Sequence, residues 1–268
     1  MTASLPLVQS GLIAHRGASK YWPENTLESV KAAAGMGVSW IETDVQFTAD
    51  NQLVMIHDAE LDRTTNGCGY VTQADLAAIR KLDAGSWMAP EFSGLQVPTL
   101  REFISMICDL GLNLQLELKE TKGREAELVD LVCDELEIYW PAETASKIFI
   151  SGFSERCLRR VAERMPKMPL ALALTCVPRN PDQLAEETGV QIIHVNDVFT
   201  DEAALETIAS SSVEFGVATV NDPVRASQLL AAGVQQILTD DPLLLTDTPN
   251  ANAPAESGNM ETIRAGVN

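Results

Sequence analysis

Residues 12–58 read LIAHRGASKYWPENTLESVKAAAGMGVSWIETDVQFTADNQLVMIHD, a stretch in which short apolar segments carry charged residues at or near their ends. It holds two of the three histidines of the protein, an Arg-Gly turn after the first apolar segment, and a Glu-x-Asp pair within the second. Charged side chains are rarely buried without a partner or a chemical task. The pattern therefore predicts buried strands whose ends converge on an active site.

Beyond this stretch, short apolar segments alternate with segments of helical period, for example the predicted helices Ser154–Arg164 and Asp201–Ser211. Such alternation indicates a parallel sheet wrapped by helices. The segment Leu53–His57 is interpreted as the second arm of a hairpin with the strand Val38–Phe47. Eight strands then remain for the core, and the predicted fold is an α/β TIM (β/α)₈ barrel.

One domain is predicted for residues 1–245, with an insertion after the second strand and its hairpin, at about residues 58–99. The insertion contains Asn66-Gly67 and a segment rich in Pro, Gly and Trp, and it has little predicted regular structure. Insertions of this kind often cover active sites. Residues 246–268 are rich in Pro, Asn, Ala and Gly, and are predicted to form a disordered tail.

The composition excludes several classes of partner. With 38 acidic and 19 basic residues the formal net charge is −19, which argues against nucleic acid and anionic membranes. A small anionic substrate remains compatible, because exposed charges are screened beyond about 8 Å. No apolar run is long enough to span a membrane, and the first residues do not resemble a signal peptide.

The five cysteines are widely spaced and include no Cys-x-x-Cys pair. Reduced, mostly buried thiols in a cytoplasmic protein are therefore expected. The sequence contains no signal for an oligomeric state.

The predicted barrel indicates where the candidate site lies, because the loops after its strands share one rim. Residues two apart on a strand point the same way, so Glu42 and Asp44 share a face, as do Glu117 and Lys119. If both pairs face the barrel mouth, three carboxylates meet there, and protons or a cation must offset their charge. Oxygen-only ligands favour Mg²⁺ or Ca²⁺ over Zn²⁺.

Cationic and titratable groups surround this predicted cluster. Arg16 and Lys119 suit a phosphate group, and Arg can bind it through two nitrogens. His15 and His57 suit an acid–base pair that works near neutral pH. Together with a metal, which activates an oxygen nucleophile, these groups indicate phosphodiester cleavage.

The run from His15 to Asp58 resembles the opening signature of the glycerophosphodiester phosphodiesterases. The segments LDRTTNGCGYV and LDAGSWMAPEFSGLQVPTL resemble that family's insertion, and LELK, SGFS, ATVN and TDDP stand where the family has its later strand-end motifs. The resemblance extends over residues 11–245. It is strongest to the bacterial cytosolic enzymes that produce glycerol 3-phosphate.

The resemblance implies a TIM barrel that hydrolyses small glycerophosphodiesters, such as glycerophosphocholine or glycerophosphoethanolamine, to glycerol 3-phosphate and an alcohol. It implies attack by the glycerol hydroxyl next to the ester, and then opening of a cyclic phosphate by water. It also implies a divalent cation, Mg²⁺ or Ca²⁺, and roles for seven residues: metal ligands Glu42, Asp44 and Glu117, acid–base groups His15 and His57, and phosphate contacts Arg16 and Lys119.

One departure from the family concerns the head group. Many relatives carry an aromatic residue before Thr-Val-Asn, where this chain has Ala218, so the preferred alcohol stays open. Phe153 is a candidate for an apolar wall. His194 is interpreted as a structural residue rather than a catalytic one.

Other interpretations of the same residues remain. The charged set could form a buried salt-bridge network, although such networks rarely add stability. The site could belong to a lysophospholipase D-like enzyme or another phosphodiester hydrolase, although no exposed aliphatic helix is evident. A barrel that binds an organophosphate without cleaving it would not need both His15 and His57.

Overall fold

The barrel wall is a closed ring of parallel strands, seen in a computed structural model that describes residues 6–245. The sheet order is β1-β9-β8-β7-β6-β5-β4-β2-β3, and pairing of β1 with β2 closes the ring. The strands are β1 Leu12–His15, β2 Trp40–Phe47, β3 Leu53–Met55, β4 Asn113–Leu118, β5 Ile148–Gly152, β6 Leu170–Leu174, β7 Ile192–Asn196, β8 Glu214–Ala218 and β9 Gln236–Thr239.

The short strand β3 stands outside the ring. It pairs antiparallel with β2, with Met55 opposite Val45. The remaining eight strands are parallel and have helices between them, which confirms the predicted TIM barrel and its hairpin.

Helices cover the outside of the ring, and side-chain caps fix where several of them begin. Thr26, Ser154 and Asp201 each accept a hydrogen bond from a backbone N–H of the first turn, and Thr99 forms a capping box with Glu102. The helices are α1 Leu27–Gly35, α2 Leu76–Ile79, α3 Leu100–Asp109, α4 Glu125–Tyr139, α5 Glu155–Arg164, α6 Pro181–Thr188, α7 Glu202–Ser210 and α8 Pro223–Ala231.

The register of the first strands places the candidate site. Glu42 of β2 is the partner of His15 on β1, and Asp44 is the partner of Glu117 on β4. Because all three strands run in the same direction, their carboxyl ends and the loops that follow lie at one rim.

Residues 58–99 form a compact segment beside β2 and β3. It contains α2 and two 3₁₀ turns, Val71–Gln73 and Pro90–Phe92. With β3 and Ile56 it forms an apolar cluster that is separate from the main core and consists of Val54, Ile56, Leu61, Val71, Ile79, Ala84 and Val97. This packing fixes the backbone of a segment whose composition alone does not predict a core.

The cysteines are free thiols, but the expectation that most are buried is wrong. Cys133 and Cys157 are buried on helix faces that pack against the barrel, and Cys108 is partly buried. Cys68 and Cys176 are exposed because they lie in loops, where no apolar face covers them.

Two sequence predictions concern the ends of the chain and the membrane. No helix within residues 6–245 is long and apolar enough to cross a bilayer. The predicted disordered tail, residues 246–268, lies outside the described residues.

Candidate active site

Three carboxylates meet at the rim of the barrel. Glu42, Asp44 and Glu117 each contribute one oxygen to a group whose members all lie within 4.8 Å of one another. We refer to these three residues as the carboxylate cluster. Glu42 and Asp44 are each only 1% exposed, so water does little to weaken the repulsion between them.

The environment drives the pKa values of Glu42 and Asp44 in opposite directions. Burial, and then the charge of Asp44, raise the pKa of Glu42 to about 8. Burial also acts to raise the pKa of Asp44, but the positive charges of Lys119 and Arg16 outweigh it and hold that pKa below its usual value. Within the cluster, a negative charge is therefore favoured on Asp44 and disfavoured on Glu42.

The two predicted phosphate-binding cations contact the cluster directly. Arg16 Nε lies 3.3 Å from Asp44 Oδ2, and Lys119 Nζ lies 3.1 Å from Asp44 Oδ1. Lys119 also pairs with Glu117. Burial opposes the charge on Lys119, but Asp44 and Glu117 raise its pKa to about 12, so the ammonium stays charged.

The turn after β1 aims these groups through an unusual backbone. Arg16 has a φ of +58°, a left-handed conformation that non-glycine residues rarely adopt, and its N–H donates to Glu42 Oε2 at 3.0 Å. The next residue, Gly17, has a φ of +85°, and a Cβ there would lie 1.9 Å from Ser29 Oγ. The left-handed conformation of Arg16 and the absence of a side chain at Gly17 together fix the position of Arg16.

His15 stands beside the cluster with its two nitrogens in different surroundings. Nδ1 lies 2.7 Å from Asp240 Oδ1, and Nε2 lies 3.9 Å from Glu42 Oε2. Burial raises the pKa of Asp240, but its hydrogen bond with His15 outweighs this and lowers the pKa to about 2, so the carboxylate accepts and Nδ1 donates. Although burial disfavours the imidazolium, Asp240 and Glu42 raise the pKa of His15.

His57 is also held by a carboxylate through its Nδ1 atom. Its Nδ1 lies 2.7 Å from Asp58 Oδ1, and Arg63 holds the pKa of Asp58 well below its usual range. An ionised Asp58 can only accept, so Nδ1 of His57 is again the donor. In both histidines Nδ1 is therefore the donor, and within residues 6–245 neither Nε2 has a hydrogen-bond partner.

A cavity of about 210 Å³ brings these groups together, and we refer to it as the mouth cavity. Both histidines line it, with Arg16, Glu117 and Lys119. Apolar side chains complete the lining, among them Phe153, Leu174, Val195, Ala218 and Leu238. A cavity of this character fits a small ester that has both an anionic and an uncharged part.

His194 also lines the mouth cavity, but its hydrogen bonds tie it to the barrel interior. Nε2 lies 2.8 Å from Gln236 Oε1, and Nδ1 lies 3.3 Å from Gln115 Nε2, which also donates to Ser151. Burial lowers the pKa of His194 to about 4, so the ring is neutral. We refer to Gln115, Ser151, His194 and Gln236 as the inner polar layer.

Several residues of the site escaped the sequence prediction. Asn25 directly precedes Thr26, whose side chain caps α1. Asn25 has a φ of +57° and donates to Asp44 Oδ2 at 2.8 Å. Asp240 directly follows β9, so the same signal that identified His15, a charged residue after a buried strand, could have found it.

The residues present fit a divalent cation of the oxygen-binding class. All three cluster members offer carboxylate oxygens, the ligands preferred by Mg²⁺ and Ca²⁺. Within residues 6–245, Glu42 Oε1 is buried and has no hydrogen-bond partner. A buried acceptor without a partner is costly, and a cation among the three carboxylates would supply one.

Comparisons with known proteins extend over nearly the whole barrel. The model of the glycerophosphoryl diester phosphodiesterase family matches residues 15–244. The glycerophosphodiester phosphodiesterase of Caldanaerobacter subterraneus is 33% identical over 235 residues, which cover 86% of this chain and 94% of that protein. A Bacillus subtilis glycerophosphodiester phosphodiesterase is 31% identical over 245 residues, covering 86% and 83%.

Solved structures agree with these matches. A phosphodiesterase from Oleispira antarctica, in complex with the product sn-glycerol-3-phosphate, has a TM-score of 0.84 at 31% identity and covers 90% of this chain and 96% of that one. A glycerophosphodiester phosphodiesterase from Agrobacterium tumefaciens has a TM-score of 0.72 at 27% identity, covering 88% and 99%. The chain therefore belongs to the glycerophosphoryl diester phosphodiesterase family and is a phosphoric diester hydrolase.

Proposed function

We propose that this enzyme hydrolyses glycerophosphodiesters, such as glycerophosphocholine and glycerophosphoethanolamine, to glycerol 3-phosphate and an alcohol. The observation that carries the proposal is the mouth cavity, where two histidines, each with Nδ1 held by a carboxylate, share the lining with Arg16, Lys119 and a member of the carboxylate cluster. The sn-glycerol-3-phosphate bound in the Oleispira relative is a product of the same kind.

Glu42, Asp44 and Glu117 would hold a divalent cation, Mg²⁺ or Ca²⁺. Such a cation, when bound, lowers the pKa of an oxygen nucleophile and offsets negative charge on phosphoryl oxygens. Within residues 6–245, Glu42 Oε1 has no hydrogen-bond partner, and burial together with the charge of Asp44 raises the pKa of Glu42. Both observations support this role for the cluster.

Arg16 and Lys119 bind and orient the anionic diester. Arg16 presents a planar fork to the phosphate, and Lys119 presents a compact charge with three donors. Both are held in place by Asp44, so little side-chain entropy is lost when the substrate arrives. Phe153 and the other apolar lining residues give the mouth cavity an uncharged side.

The histidines move the protons. One Nε2 accepts the proton of the glycerol hydroxyl next to the ester, whose oxygen forms a new bond to phosphorus while the bond to the leaving alcohol breaks. The other histidine gives its proton to that alcohol. Water then opens the cyclic phosphate with the two proton transfers reversed, and Asp240 and Asp58 hold the rings throughout.

The experiment is an assay of glycerol 3-phosphate released from glycerophosphocholine and glycerophosphoethanolamine. The proposal predicts release that a chelator stops and that Mg²⁺ or Ca²⁺ restores. Lysophosphatidylcholine serves as the contrasting substrate and should be hydrolysed far more slowly. Absence of release with either cation, from protein shown to be folded, would contradict the proposal.

A further inference from the structure

Arg63, in the insertion, binds two carboxylates at once. Its Nε and one terminal nitrogen donate to the two oxygens of Asp58 at 2.6 and 3.0 Å. Its two terminal nitrogens donate to the two oxygens of Glu24 at 2.7 and 2.8 Å. The guanidinium thus makes a two-point contact on each side, the strongest form of charge-assisted hydrogen bonding available to arginine.

Each of these carboxylates in turn holds a residue of the candidate site. Asp58 Oδ1 lies 2.7 Å from Nδ1 of His57, and Glu24 Oε1 accepts from Arg16 at 2.8 Å. One terminal nitrogen of Arg63 contacts both of these oxygens. A continuous chain of hydrogen bonds therefore joins the acid–base histidine to the phosphate-binding arginine, with Arg63 at its centre.

The backbone around Arg63 is itself fixed by the insertion. Leu61 is part of the apolar cluster of that segment and accepts a hydrogen bond from Thr65 Oγ1 at 2.6 Å. Thr64 and Thr65 are each 6% exposed. The guanidinium is therefore presented from a packed turn rather than from a free loop.

We propose that Arg63 is a positioning residue that sets the orientation of His57 and Arg16 together, and that delivering it is a function of the insertion. The proposal rests on the roles assigned above to His57 and Arg16. Without the guanidinium, Glu24 and Asp58 lose their shared partner, and Asp58 is free to rotate together with the imidazole that it holds. Lysine cannot replace Arg63, because one ammonium does not span both carboxylates.

The chain offers a matched control. Arg80 also lies in the insertion and makes a two-point contact with Glu102 at 2.9 Å for both bonds, together with a bond to the Val97 carbonyl at 3.0 Å. The other hydrogen bonds of Glu102 go to Thr99 of the α3 capping box, whereas Asp58 and Glu24 bond His57 and Arg16. Arg63→Met and Arg80→Met therefore remove the same kind of ion pair, one next to the site and one away from it.

The kinetic test measures kcat and KM for glycerophosphocholine in R63M, R63K and R80M. For R63M we expect kcat/KM to fall about 10²-fold, the cost of a misplaced catalytic group. Both constants should change, kcat through His57 and KM through Arg16. R63K, which keeps the charge and the fold, should recover only part of the loss, while R80M should keep wild-type kinetics even if its unfolding midpoint falls.

A second readout needs no turnover. In protein labelled with ¹⁵N at histidine, the His57 ring should show a single tautomer with the proton on Nδ1, and H57Q identifies its signals. R63M should show a mixture of tautomers, and R80M the wild-type signals. Unchanged His57 signals in R63M, or a kinetic loss no larger than in R80M, would overturn the proposal. An active H57Q would instead refute the proposed function of His57.

Discussion

The carboxylate cluster, in which Glu117 is partly exposed, and the fully buried inner polar layer both lie in the barrel, yet their charges are balanced differently. In the inner polar layer, neutral groups are joined by hydrogen bonds, and His194 stays uncharged. In the carboxylate cluster, three acids share Lys119 and Arg16. Within the described residues each group has one buried oxygen without a partner, Glu42 Oε1 and Gln115 Oε1, so the two groups differ in charge rather than in hydrogen bonding. Burial alone does not distinguish structural from functional polar groups, whereas unbalanced charge does.

The largest expected effect comes from Glu42→Gln, which keeps the shape of the side chain but removes its charge. Cation-dependent hydrolysis should fall to background, because the cluster loses a ligand. The cation-free variant should be at least as stable as wild type, and more stable at pH 9, where the wild-type carboxylate with its raised pKa is charged. If E42Q kept full activity or failed to fold, Glu42 would have a structural role like that of the inner polar layer, and the comparison would be wrong.

A matched pair of histidine variants sharpens the comparison. His15→Gln should lower kcat by about 10²–10⁴-fold, because the ring acts on protons. His194→Gln should keep most of kcat and lower stability by about 1–3 kcal/mol, because hydrogen bonds of a buried group are disturbed. Assays and thermal melts on the two variants measure both effects, and equal loss of kcat in both would contradict the assignment.

The pH dependence of stability gives the next effect. Burial lowers the pKa of His194 from 6.5 to about 4, so between these values the unfolded chain binds a proton that the folded chain does not. The free energy of unfolding is therefore unaffected by His194 protonation above pH 6.5. It decreases as the pH falls from 6.5 to 4, by about 3 kcal/mol in total.

Urea unfolding at several pH values tests this contribution in the wild type and in H194Q. The difference in unfolding free energy between the two proteins should be largest at pH 7 and should shrink toward pH 4. Parallel curves would show that His194 is not held neutral by burial.

The smallest effect concerns the head group. Ala218 lines the mouth cavity with a side chain that is a single methyl group. Ala218→Phe should narrow the cavity and lower kcat/KM for glycerophosphocholine about 10-fold more than for the smaller glycerophosphoethanolamine. Equal changes for both substrates would place the head group elsewhere on the rim.

The sequence predicts the barrel because its strands and helices alternate with a clear period. It predicts the principal charged groups because they lie in buried strands or directly after them. Helix starts are less accurate. Ser154 and Asp201 were included in helices, whereas both are caps outside Glu155–Arg164 and Glu202–Ser210. A capping residue and a first-turn residue look alike in a periodic pattern.

The network behind the site was not predicted, because it depends on backbone conformations that residue type does not reveal. Arg16 and Asn25 both adopt positive φ values, which direct them to Glu24 and Asp44. Arg63 reaches Glu24 across a long stretch of sequence, and no local period relates the two residues.

The central claim is that the carboxylate cluster binds a divalent cation. Isothermal titration calorimetry of the chelator-treated protein with Mg²⁺ and with Ca²⁺ tests it directly, with E42Q and H194Q measured alongside. The account predicts one site per chain in the wild type and in H194Q, and no saturable binding in E42Q. Equal binding in E42Q, or none in a folded wild type, would contradict it.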